Sequence, residues 1–88
     1  MKEKEIERSL KALANGRRLA ILKFIKKEKE AAVGDIAGEI RLSFKATSRH
    51  LSVLFSANIL DKDQRSLRIF YRIADDLPEL IRRILLFL

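Results

Sequence analysis

The chain is 88 residues long, which at the usual domain size of roughly 100 residues leaves room for one compact core and excludes a multi-domain enzyme. Hydrophobic residues make up 48% and charged residues 35%, enough apolar side chain to fold and too much charge to sit in lipid. The formal net charge of +7 points to a polyanionic partner, and the absence of cysteine excludes disulfides, thiolate nucleophiles and thiolate metal sites, so packing and self-association must supply stability.

In chain order, Ile6, Leu10 and Leu13 recur at helical spacing among charged residues and predict a first helix, broken at Asn15-Gly16. Leu19, Ile21, Leu22, Phe24 and Ile25, flanked by arginines and lysines, predict a second helix ending in the charged stretch from Lys26 to Glu30. Ala31-Ala32-Val33 reads as a short connector. Val33, Ile36, Ala37 and Ile40 then give a short third helix with Asp35 in its first turn, where a negative charge suits the helix dipole. Ser43 is a good N-cap for a fourth helix over 44–57, and Asn58 suits the left-handed residue that follows a helix.

Past Asn58 the period drops from near 3.6 to 2. Ile59 to Asp63 and Ser66 to Ile73 predict a β-hairpin wing over 59–73 turning at Asp63 to Ser66, and without glycine in the turn a looser loop is expected over a tight two-residue one. Asp75-Asp76 offers an N-cap, Pro78 suits a first helical turn, and Leu80, Ile81, Ile84, Leu85 and Leu88 form the stripe of a last helix. Residues 1–88 therefore read as one mostly α (α+β) domain, with four helices, a two-stranded hairpin and a C-terminal helix. Two short helices joined by Arg41-Leu42-Ser43 and followed by a hairpin make a winged helix-turn-helix arrangement.

The longest apolar run, Ile84 to Leu88, is far short of the roughly 20 residues a membrane span needs, and Met1 to Glu5 lacks a leader's apolar stretch. The expectation is a cytoplasmic protein with no membrane partner. The basic excess is uneven: ten basic and seven acidic side chains in residues 1–40, seven and two in 41–73, two and three in 74–88.

Particular stretches sharpen the pattern. Leu10-Lys11-Ala12-Leu13-Ala14-Asn15-Gly16-Arg17-Arg18-Leu19-Ala20-Ile21-Leu22 resembles the opening of ArsR-family repressors. Leu42-Ser43-Phe44-Lys45-Ala46-Thr47-Ser48-Arg49-His50-Leu51-Ser52-Val53-Leu54 resembles their recognition helix, and Phe70-Tyr71-Arg72-Ile73 ends a similar wing. The resemblance runs from Ile6 to Ile73. It implies a homodimeric transcriptional regulator, a repressor that reads a near-palindromic operator. Metal-sensing relatives carry two cysteines flanking a valine at the start of helix three, but here Ala32 and Gly34 stand at those places. The only histidine is His50. No metal and no cofactor is therefore expected. Phe44 stands where a glutamine is common, so the sequence read should differ.

On a 3.6-residue wheel Ala46, His50, Leu51, Leu54 and Phe55 fall on the core side of helix four, leaving Phe44, Lys45, Ser48, Arg49 and Ser52 outward and Thr47 at the boundary. Arg49 has the geometry for a bidentate grip on guanine, Lys45 reaches guanine or phosphate, and Ser43, Thr47, Ser48 and Ser52 offer short donors. Lys62, Arg65 and Arg68 of the hairpin, with Arg72, are candidate phosphate contacts. An ordinary solvated surface, and for the hairpin a charged edge that discourages edge-to-edge pairing, are the plainer alternatives. Arg17 and Arg18 either touch phosphate or pair with Glu7 or Asp75. His50 reads as a packed, hydrogen-bonded side chain.

Catalytic constellations and glycine-rich phosphate loops are lacking, so an enzyme is not expected. The competing reading is a winged-helix protein-protein interaction module without specific DNA binding, favoured by the apolar Phe44 at the tip of helix four. An excess of apolar residues on the first and last helices, Ile6, Leu10 and Leu13 with Leu80, Ile81, Ile84, Leu85 and Leu88, predicts a two-fold dimer interface.

Overall fold

The computed structural model describes residues 2–88, and every structural statement below refers to them. Five helices, α1 (Glu3–Leu13), α2 (Gly16–Glu28), α3 (Val33–Ile40), α4 (Phe44–Ser56) and α5 (Glu79–Leu85), accompany three strands, β1 (Ala31–Ala32), β2 (Leu60–Arg65) and β3 (Arg68–Ile73). The architecture is the expected winged helix-turn-helix with one added strand. No helix is long and apolar enough to cross a membrane.

The caps explain most of the boundaries. Asn15 Oδ1 accepts the Arg18 backbone N–H at 3.0 Å and starts α2, while Ser43 Oγ accepts that of Ala46 at 3.1 Å and starts α4. Arg41 (φ 56°) and Asn58 (φ 62°) turn the chain out of α3 and α4 through the left-handed region. Lys29, after α2, lies at φ 75°, ψ −42°, a position where any side chain other than glycine's is strained by about 1–3 kcal/mol. The start of α5 differs from expectation: Pro78 takes the cap position with no side-chain cap bond, so Asp75 and Asp76 do not cap it.

The sheet runs β1-β3-β2, all antiparallel. Ala31 and Ala32, expected to be only a connector, pair with Tyr71 and Phe70. The hairpin register runs from Leu60↔Ile73 to Arg65↔Arg68. The turn is thus a tight two-residue one at Ser66-Leu67, correcting the looser loop expected. Ser66 adopts φ 58° in place of the missing glycine.

The core forms where α2, α3, α4, the hairpin base and α5 meet. Ile21, Leu22, Ile25, Ile36, Leu51, Leu54, Ile59, Leu60 and Ile81 are all buried there, each contributing about 1.5–3 kcal/mol relative to exposure. Leu13, Ile81 and Leu85 belong to this cluster, which corrects their assignment to a dimer interface. Their helices fold onto their own domain, and these three side chains are consumed in closing it. Of the other candidates Leu10 and Leu80 are exposed, Ile6 is half-buried, and Ile84 and Leu88 are half-buried against the core edge.

Candidate nucleic-acid interface

The helix-turn-helix is formed by α3 and α4. Arg41, in the left-handed region, and the Ser43 cap reverse the chain within three residues. They leave the first turn of α4 projecting: Ser43, Phe44 and Lys45 are exposed, as are Arg49 and Ser52 one and two turns on, with Ser48 half-buried between them. Phe44 is 63% exposed. Lys45 and Arg49 enter no ion pair among the described residues, and the helix carries no acidic side chain.

Thr47 departs from this set. Its side chain is 0% exposed and its Oγ1 has no hydrogen-bond partner. Thr47, Leu51 and Leu54, spaced by four and three, form the inward stripe of α4, so the threonine packs under the helix and does not reach a ligand outside it. Phe55 departs in the opposite direction. Expected in the core, it lies at the surface with Lys62 Nζ 4.4 Å from its ring centroid, a cation-π contact that joins the end of α4 to the hairpin.

His50 and Arg18 fix α4 against the first two helices. Arg18 Nη1 donates to His50 Nδ1 at 3.2 Å, while its Nε and Nη2 donate to the Ala12 and Lys11 carbonyls at 2.6 and 3.2 Å. Arg18 therefore pairs with neither Glu7 nor Asp75. It ties off the open carbonyls at the end of α1. Burial first, then the charges of Arg18, Arg17 and Arg49, lower the His50 pKa from its ordinary value, which favours the neutral ring that an Nδ1 acceptor requires.

The hairpin is cationic and largely compensated. Arg65 and Arg68 face one another across the register, an arrangement of like charges that costs stability. Each is answered by a carboxylate from outside the hairpin. Arg65 Nη1 lies 2.6 Å from Glu30 Oε2 and its Nε 3.0 Å from Asp63 Oδ2, and Arg68 Nη2 lies 2.8 Å from Asp35 Oδ2. Both guanidinium groups also lie over the Phe70 ring, at 4.6 and 5.1 Å from its centroid. Arg72 is paired more loosely with Asp61, at 4.0 Å. Glu30 and Asp35 were legible in the sequence only as a helix-end charge and a dipole-matched residue. Their role opposite the hairpin needs β1 to bring residues 30–35 beside β3.

Among the described residues no three His, Cys, Asp or Glu side chains gather as a metal-holding group. Ala32, at one of the positions compared with thiolates, is buried in β1.

Comparison with known proteins agrees with this geometry. The family model described as bacterial regulatory protein, arsR family, matches residues 15–62, more than half of the chain. The nodulation protein NolR of Rhizobium meliloti is 40% identical over 67 residues, which are 76% of this chain and 54% of that protein, so the chain spans about half the length of this curated relative. A homodimeric winged helix-turn-helix DNA-binding domain from Mycobacterium bovis, a possible ArsR-family transcriptional regulator, superposes with a TM-score of 0.81 at 33% identity, covering 96% of this chain and 74% of that one. NolR from Sinorhizobium fredii gives 0.78 at 32% identity, covering 92% and 78%. With its helix-turn-helix, wing and capped recognition helix all in place, the chain belongs to the arsR family of bacterial regulatory proteins, which are non-enzymatic DNA-binding regulators.

Proposed function

We propose that the protein is a sequence-specific transcriptional repressor that binds a near-palindromic operator as a homodimer, with α4 in the major groove and the hairpin along the phosphate backbone. The observation that carries this reading is the outward face of α4: uncompensated Lys45 and Arg49, with Ser48 and Ser52 between and beyond them, on the second helix of a helix-turn-helix. Arg49 grips guanine, Lys45 reaches guanine or phosphate, Ser43, Ser48 and Ser52 bond to phosphates or base edges, and exposed Phe44 supplies an apolar contact of the kind a thymine methyl group accepts. Lys62, Arg65 and Arg68 meet phosphates. Repression follows from occupancy, because a dimer covering two half-sites about one helical turn apart, roughly 34 Å, excludes other proteins from that stretch.

The dimer reading is supported by the apolar groups left uncovered on α1 and α5, with Leu10 and Leu80 exposed and Ile6, Ile84 and Leu88 at the margin, and by the homodimeric relative from M. bovis. Selection of bound duplexes from a random-sequence pool tests the whole proposal. The expected product is an inverted repeat with half-sites one turn apart, bound by a species of twice the monomer mass in sedimentation equilibrium. An unenriched pool, at a salt concentration where non-specific binding is weak, favours the protein-interaction module instead.

A further inference from the structure

One recess away from the outward face of α4 combines apolar and cationic side chains. An open cleft of about 340 Å³ lies between the C-terminal half of α2, the end of β3 and α5, its accessible apolar wall made by half-buried Ile73 and exposed Leu86 above the buried core residues Leu22, Ile25 and Leu85. Lys26, Lys29, Arg72 and Arg82 stand around it against a single carboxylate, Asp75. A hydrocarbon wall of this size suits a small molecule, and a surplus of cations at its edge selects the sign of that molecule's polar group. A metal ion is repelled there, and inorganic phosphate leaves the wall wet.

The four cations are not equally available. Lys26 Nζ donates to the main-chain oxygens of Leu85 and Leu88, both at 3.0 Å, Arg82 Nη2 donates to the Leu77 carbonyl at 2.9 Å, and Arg72 reaches Asp61 only at 4.0 Å. Lys29 makes no ion pair or side-chain hydrogen bond among the described residues. It also occupies the φ 75° position at the end of α2, where glycine is the unstrained choice. The chain thus holds an unengaged ammonium group at the cleft edge on a strained backbone.

We propose that this cleft binds a small organic anion, an apolar tail or ring bearing one carboxylate, with Lys29 and Arg72 taking the carboxylate and Ile73 and Leu86 taking the apolar body. Charge-assisted bonds fix the head group, and burial of the tail supplies most of the affinity. Arg72 and Ile73 close β3, the central strand of the sheet, so an occupied cleft lies against the base of the hairpin.

The test is calorimetric titration of decanoate into the full chain, below its micellar concentration, beside decanol, decyltrimethylammonium and acetate. Decanoate should bind, decanol and acetate much more weakly, and the cationic analogue not at all. Lys29→Gly relaxes the backbone, so it should unfold at the same or a higher temperature while binding decanoate roughly tenfold more weakly, as one lost charge-assisted bond requires. Methyl NMR shifts should centre on Ile73 and Leu86. Equal binding of decanoate and decyltrimethylammonium, unchanged affinity in Lys29→Gly, or shifts centred on Leu10 and Leu80 would each overturn the proposal. No DNA enters the titration, so its outcome is independent of the operator-reading proposal.

Discussion

The outward face of α4 and the tip of the hairpin both present cations, Lys45 and Arg49 on the first and Arg65 and Arg68 on the second, but only the hairpin's are matched by carboxylates. On the proposed function, contact of α4 with DNA would exchange water and counterions for phosphate or base, and the gain would be direct. For the hairpin, the same contact must first displace Glu30, Asp63 or Asp35, so part of the gain is spent in breaking an existing pair. Net charge would therefore overstate the share of DNA affinity that the hairpin supplies under the proposed function. Two surfaces of similar composition can differ in how much of their charge is available to a ligand.

The largest effect expected is on the free face. Arg49→Ala should weaken binding to the selected operator by about 1–3 kcal/mol and relax preference at one base pair; an equal loss on random duplex, read by mobility shift at matched salt, removes Arg49 from base reading. Next comes the inward face of the same helix. Thr47→Val replaces a buried hydroxyl lacking a partner with a methyl group of similar shape and should stabilise the fold by about 1 kcal/mol in urea unfolding. Operator affinity should stay unchanged, and a drop in affinity at unaltered stability would return Thr47 to the interface.

The compensated face should respond in the opposite direction. Asp35→Asn releases Arg68 and should tighten binding to all duplexes by about two- to fivefold, with a steeper dependence of affinity on salt. An unchanged salt slope would place Arg68 away from the phosphates. The smallest effect concerns His50, whose pKa is lowered by burial and by Arg18, Arg17 and Arg49. Because the unfolded chain takes up the proton more readily, its contribution to stability is complete well above the ordinary histidine pKa of about 6.5 and is lost as pH falls through that value toward the lowered one. Urea midpoints should decline across that window in the parent protein and less so in His50→Gln; parallel declines would assign the proton to another group.

The helices and their order were legible because long periodic segments declare themselves: α1 to α4, the Ser43 cap and the left-handed Asn58 all stand where spacing and side-chain chemistry put them. Elements without a period were not legible. β1 is two alanines long, and only pairing with Phe70 and Tyr71 makes it a strand. The tight turn at Ser66-Leu67 uses a serine where local chemistry favours glycine, a choice that strand register imposes from both sides. On α4 the wheel misplaced Thr47 and Phe55 because helical spacing gives the angle of a side chain but not how far the neighbouring sheet extends over it. For the last helix, an apolar stripe cannot reveal whether it closes its own core or a partner's. Ile81 and Leu85 do the former.

The short pairing of Ala31-Ala32 with the middle of β3 has a mechanical consequence. It clamps the hairpin at Phe70 and Tyr71, leaving the segment from Gln64 to Ile69 as a cantilever whose ion pairs to the rest of the chain, among the described residues, are Glu30–Arg65 and Asp35–Arg68. The Asp35–Arg68 pair is solvent-exposed and salt-labile, and the Glu30–Arg65 pair, with Glu30 half-buried, is partly so. On the proposed function, a phosphate that captured either arginine would also remove the ion pair that held it, so the tip would become compliant on contact and could follow the local width of a groove while its root stayed paired to β1.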